Sequence, residues 1–254
     1  MARKELNNET LNEMDEQPET NLPMAQTSGA LVYGGIGGNV SSEDIQFPRM
    51  KLVHGVGKLA DKFAPGDLVL DDDALLVSKG EALTVILLGG VLYWKEYLGN
   101  EGFQQGMIPR TFVDEKDVHK AGGTTQWGAE GEPPPTFSQA MHLRMLIRKP
   151  EGLASGMFNL EFGDGFEYCP AQFDADKQVY KTVGPKVLKW SSLSLVDKKE
   201  TGNVPHLCKG VVTLSTRMKP TKSGNKTWAV FPELVGFNPD GVVAAIDSMF
   251  NPKG

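Results

Sequence analysis

Cysteine is scarce in this chain of 254 residues, which holds only Cys169 and Cys208. Two thiols cannot build a disulfide framework, so nothing points to an oxidising compartment. A zinc reading would join Cys169 to His206-x-Cys208, but one intervening residue is shorter than the usual ligand spacing and no fourth ligand is at hand. No metal and no cofactor are therefore expected, and both cysteines read as small core residues. Long apolar runs are also missing. The longest, Leu83 to Leu92, contains two glycines and has the length of a buried strand, well short of the ~20 residues of a membrane span. Behind Met1-Ala2-Arg3-Lys4 there is no hydrophobic stretch, so neither a secretory leader nor a membrane partner is expected, and the expected location is cytoplasmic.

Catalytic signatures are absent as well. The four histidines, His54, His119, His142 and His206, are scattered, and none stands near a serine or cysteine in a nucleophile context. Carboxylates lie in turn-like segments, and no acid and base pair can be nominated. Gly34-Gly35-Ile36-Gly37-Gly38 lacks the Lys-Ser/Thr of a phosphate loop. Asp71-Asp72-Asp73 lacks the spaced oxygens, glycine and closing glutamate of a calcium loop. The chain reads as a binding protein rather than an enzyme.

What is present is a core-forming composition, 40% hydrophobic, and a lopsided charge. The formal net charge is −6, yet residues 177–226 hold 11 basic and only 2 acidic side chains. Residues 1–46 hold 2 basic and 8 acidic. One basic block on an acidic protein predicts a basic face on an otherwise acidic surface.

Residues 1–44 are rich in Asn, Glu, Gln, Gly, Ser and Thr, without apolar periodicity, and read as a disordered acidic arm. A single β-rich domain over 45–254 follows. Apolar and polar residues alternate from Ile45 to Val53, predicting a strand, and Pro65-Gly66-Asp67 is a turn. Ala82 to Trp94 is the central strand or strand pair, with Gly89-Gly90 marking a bulge or bend. Residues 99–136, with Gly122-Gly123 and Pro133-Pro134-Pro135, are too long and polar for an ordinary turn and read as a mobile or functional insertion. Phe137 to Arg148 alternates with period two and predicts a strand, with 157–162 as its return partner. Pro185 to Leu195 predicts a short amphipathic helix started by its proline. Strands at 211–216 and 227–231 form a basic hairpin with a long tip, and 240–250 is a short C-terminal helix.

Single-stranded nucleic acid is held by cations tracking phosphates and aromatics stacking on bases, commonly on the strands of a small open barrel. The candidates for that work are Lys181, Lys186, Lys189, Arg217, Lys219, Lys222 and Lys226 with Trp190 and Trp228 in or beside the basic block, and Tyr93 and Trp94 on the central strand. Tyr97 and Tyr180 are further aromatics near them.

The run Asp44-Ile45-Gln46-Phe47-Pro48-Arg49-Met50-Lys51-Leu52-Val53, then Pro65-Gly66-Asp67, Lys189-Trp190-Ser191-Ser192-Leu193 and Asn225-Lys226-Thr227-Trp228, resembles a family of tailed-bacteriophage single-stranded DNA-binding-like proteins. The likeness covers about residues 44–237. It implies a mainly β, OB-like antiparallel barrel with long insertions, acting on single-stranded DNA in phage DNA replication or recombination, in the host cell cytoplasm. Many single-stranded DNA-binding proteins recruit partners with an acidic C-terminal tip. This chain ends Asn251-Pro252-Lys253-Gly254 and carries its acid at the other end, so either the arm at 1–44 takes the role of recruiting replication or recombination proteins, or the protein recruits nothing. Homo-oligomerisation is left open. The rival readings are a phage virion-associated structural or assembly protein and a host-protein inhibitor.

Overall fold

The computed structural model describes residues 47–99, 102, 105–126, 128, 133–154, 156–201, 207–221 and 224–250. The expected arm at 1–44 lies outside the described residues, as do His206 and Lys222.

The strands are β1 (Arg49–Leu52), β2 (Leu68–Leu70), β3 (Ala74–Val77), β4 (Ala82–Glu96), β5 (Thr111–Phe112), β6 (Phe137–Arg148), β7 (Leu160–Glu161), β8 (Glu167–Ala175), β9 (Gly210–Pro220) and β10 (Lys226–Phe237). All ten join one sheet in the order β10-β9-β4-β6-β8-β1-β2-β3, with β5 on β4 and β7 on β8. The helices are α1 (Glu115–Lys120), α2 (Lys177–Thr201) and α3 (Asp240–Phe250). Among the described residues no helix is long and apolar enough to cross a membrane.

β4 organises the sheet. Its first half pairs with β9, from Ala82 opposite Ser215 to Ile86 opposite Val211, and β6 runs along most of its length. Between Leu87 and Gly89 the β4–β6 register shifts by a bulge, where the glycine pair predicted one. The extra residue inverts the alternation. Before it, Leu83, Val85 and Leu87 face the main core; after it, Gly90 and Leu92 do, opposite Leu143 and Met141.

That core fills the inner face of the curl, with Met50, Leu68, Leu70, Met145, Phe173, Leu214 and Val230 from six strands and Val179, Val183 and Val187 from α2. A second cluster lies on the outer face, where Val242, Val243 and Ile246 of α3 cover Ile86, Leu146 and Tyr168. The predicted C-terminal helix thus caps the back of the sheet.

The sheet curls until its two ends meet side to side. The Thr216 hydroxyl donates to the Gly66 carbonyl at 2.6 Å. Gly66 has φ +101°, and a Cβ placed there would stand 2.7 Å from the Trp228 ring. Only glycine allows both that backbone and that approach. Among the described residues no ladder joins β3 to β10, so the curl is a half-barrel closed by packing.

Four expectations are corrected. The sheet is mixed rather than antiparallel, because β1 lies parallel to β8 through Arg49–Gln172 and Met50–Phe173; β8 takes its direction from its longer ladder with β6. The return partner of β6 is β8, while 157–162 yields only β7, which pairs with β8, and Phe158 enters the main core. Gly163 and Gly165, both with positive φ, supply the turn into β8. The helix at 185–195 extends over Lys177–Thr201 with Pro185 inside it. An interior proline costs ~3 kcal/mol, but burying Val179, Val183 and Val187, four residues apart on one face, contributes roughly 1.5–3 kcal/mol each and wins. Finally, the insertion at 99–136 contains regular structure: β5 edges β4, and α1 is capped by the Asp114 carboxylate on the Lys116 N–H.

Because the seam tolerates no Cβ, Gly66→Ala is expected to lower stability by about 2–4 kcal/mol. Urea unfolding measures it, and an unchanged midpoint would show that the seam is not a constraint.

Candidate functional site

The C-terminal end of β4 places Trp94 opposite Phe112 of β5 and Gln139 of β6, on the inner side of the sheet set by the bulge. Tyr97 follows as the chain leaves β4, its N–H donating to the Thr136 carbonyl at 2.7 Å. From the first turns of α2, Tyr180 reaches across and donates its hydroxyl to Gln139 Oε1 at 2.9 Å. Lys177 Nζ lies 5.0 Å from the centre of the Tyr97 ring. Lys95 Nζ, on the outer side of β4, bonds Asp176 at 2.7 Å and so fixes the start of the helix against the strand.

These residues wall a cleft of about 620 Å³, lined also by Glu115, Thr125, Gln126, Pro134, Pro135, Phe137, Ser138 and Lys181. Burial pushes the Tyr180 phenol upward from its ordinary pKa, so it stays neutral in ordinary buffers. The Thr125 hydroxyl donates to Glu115 Oε1 at 2.6 Å. The cleft offers ring faces in its walls, cations at Lys177 and Lys181, and amide and carboxylate groups able to read the edge of a planar ligand. Such a lining suits stacking and hydrogen bonding.

The residues nominated from the sequence do not share one place. Trp94 and Lys181 meet in the cleft. Tyr93 is on the opposite face, opposite Ala140, where burial and the Asp174 and Asp176 carboxylates raise its pKa. Lys186 donates to the Pro232 carbonyl at 2.6 Å and ties α2 to β10. Lys189 is exposed on α2, whereas Trp190 is half-buried against the main core. Arg217 lies 5.6 Å over the Phe231 ring on the outer face, the side that also bears Lys219. Lys226 begins β10 in the open. Trp228 packs inward against Gly66, away from Arg217 and Lys219.

Two groups therefore arise at opposite ends of β4. The hairpin lies beyond Ala82 and the cleft surrounds Trp94, separated by twelve residues of strand, roughly 40 Å at ~3.3 Å per residue. Sequence reading missed Lys177, Gln139, Glu115 and Phe137. Lys177 was counted in the basic block, but nothing local marks the other three.

On the outer face His142 Nδ1 lies 2.7 Å from Asp174 Oδ1, a pair joined across the β6–β8 ladder. His142 foremost, with Lys95 and Arg49 nearby, holds the Asp174 carboxyl below the usual carboxylate range. Among the described residues no serine hydroxyl or cysteine thiol is hydrogen-bonded to His142. Nearby, where β1 and β8 part, a hollow of about 240 Å³ is lined by Arg49, Lys51, His54, Gln172 and Asp174 together with the apolar Leu52, Leu59 and Phe173. No family model, curated protein or solved structure matches the chain.

The cysteines are separated by the sheet: Cys169 belongs to the inner core and Cys208 to the outer cluster. Burial pushes their thiols up to about 12 and about 11. In the folded protein they hold protons that the unfolded chain releases near 9, so their contribution to stability is lost as pH rises above that value. Ellman's reagent is expected to detect no thiol in the native protein at neutral pH and two after unfolding, and the urea midpoint to fall between about pH 9 and 11. Rapid native-state labelling would contradict this burial.

Proposed function

We propose that the chain is a non-catalytic single-stranded DNA-binding protein, acting in phage DNA replication or recombination in the host cell cytoplasm. The observation that carries this reading is the aromatic cleft, in which Trp94, Tyr97 and Tyr180 stand beside Lys177 and Lys181. Bases stack on aromatic faces with little regard to sequence, at ~1–3 kcal/mol per base, while lysines hold the phosphates. The OB-like character implied by the resemblance enters here as a mode of use: a curled sheet presents strand-borne aromatics to an unpaired strand. The cleft, rather than the hairpin, is the primary site in this proposal. Arg217, Lys219 and Lys226 serve as an outlying electrostatic track, and Trp228 holds the seam. The acidic arm is kept as the segment that recruits replication or recombination partners.

The test is tryptophan fluorescence titration with oligothymidine at two salt concentrations. Wild-type binding is expected to weaken with salt, because each neutralised phosphate releases counterions. Tyr180→Ala and Trp94→Ala should each weaken binding by about 1–3 kcal/mol with little change in fold. Lys181→Glu should reduce the salt dependence, whereas Lys219→Glu should change affinity less. Absence of binding at low salt by folded protein would overturn the reading and favour a virion component or a host-protein inhibitor.

A further inference from the structure

Beside the cleft the chain carries an apolar tip that the single-strand reading leaves unused. Met107 and Ile108 are 52% and 88% exposed, although they belong to a stretch that is well anchored at its base. Arg110 grips Glu96 with two side-chain bonds, Nε to Oε2 at 3.0 Å and an outer nitrogen to Oε1 at 2.6 Å, and its backbone N–H adds a third at 3.1 Å. The Glu96 N–H returns a bond to the Arg110 carbonyl at 3.0 Å. Arg110 holds the Glu96 carboxyl below the usual carboxylate range, as a close ion pair must. On the other side of the tip the Met107 N–H donates to the Gly102 carbonyl at 3.0 Å. Gly106, at φ +69°, makes the turn, and Pro109 fixes the backbone that leaves it.

The anchor adjoins the cleft through Phe137. The Arg110 guanidinium lies 5.4 Å over the ring of Phe137, which lines the cleft, and Phe112, the next ring at 5.5 Å, belongs to the strand that pairs with Trp94. An anchored rim thus carries the exposed Ile108 and the half-exposed Met107 close to the cleft.

We infer that the Met107–Ile108 tip is a wedge for the junction between single-stranded and duplex DNA. This inference rests on the single-strand reading and names its substrate more narrowly. With an unpaired strand in the cleft, the first base pair of the adjoining duplex comes against the rim. Apolar side chains placed at a base step cover the exposed face of a pair or enter between bases, as in proteins that unstack or kink DNA with Phe, Leu, Ile or Met. The Glu96–Arg110 bonds anchor the C-terminal side of the tip, and the Met107 N–H bond to Gly102 ties its other side. Occupancy by the terminal pair covers Ile108, which the folded chain leaves in water.

The experiment compares oligothymidine with the same oligothymidine continued into a hairpin duplex, for wild type, Met107→Ser/Ile108→Ser and Tyr180→Ala. A 2-aminopurine in the terminal pair reports unstacking. Wild type is expected to bind the junction about tenfold tighter than the free strand and to brighten the probe. The double variant, changed only at exposed positions, is expected to keep its affinity for the free strand and to lose the preference and the brightening. Tyr180→Ala should weaken binding to both DNAs. Equal wild-type affinity for the two DNAs, or a double variant that keeps the preference, overturns the wedge while leaving the single-strand reading standing. Failure of wild type to bind either DNA overturns both.

Discussion

The one-residue bulge between Leu87 and Gly89 sets what each face of the sheet can do. A strand alternates its side chains strictly, so an inserted residue inverts every position beyond it. Because of that inversion Trp94 stands on the inner side with Leu92, and Tyr93 and Lys95 stand outside. Without it Trp94 would face away from α2, and the cleft would lose the wall that Tyr180 and Gln139 complete. The placement of Lys95 matters equally, since its ion pair with Asp176 holds the start of α2 in position. A backbone irregularity in the longest strand thus decides where the aromatics gather.

Much of this architecture was legible along the chain. The central strand, its glycine-marked bulge, the strand at 137–148, the basic hairpin and the terminal helix were each written in a local period or a local turn. The failures share a cause. Pro185 reads as a start because sequence carries no sign that three buried valines will outweigh it. β8 was overlooked because Pro170 and the preceding Gly163 and Gly165 look like punctuation, although β6 holds that strand over eight residue pairs. The short run at 157–162 looked like a partner for the same reason of proximity, and tertiary pairing preferred the longer strand.

The site was less legible than the fold, because its walls come from segments around 94–97, 115–126, 134–139 and 177–181. A charge count along the chain correctly found a basic block, but such a count is one-dimensional. Folding sends its first lysines to the cleft with α2 and its last ones to the far end of β4 with the hairpin. Trp228 illustrates the same limit. Its neighbours in sequence are cationic, while its neighbours in space are Gly66 and the inner face of the curl.

The contact between Lys186 and Pro232 has a further meaning for the outer margin of the sheet. β10 is an end strand, and an end strand normally displays amides and carbonyls on which another strand can grow. At Pro232 the amide is missing by covalent structure, and the carbonyl is already occupied by the Lys186 ammonium. A growing β-fibre or a sheet-to-sheet dimer would meet a gap in the middle of its template. The helix that forms one side of the cleft therefore also guards the open margin of the sheet against templated growth.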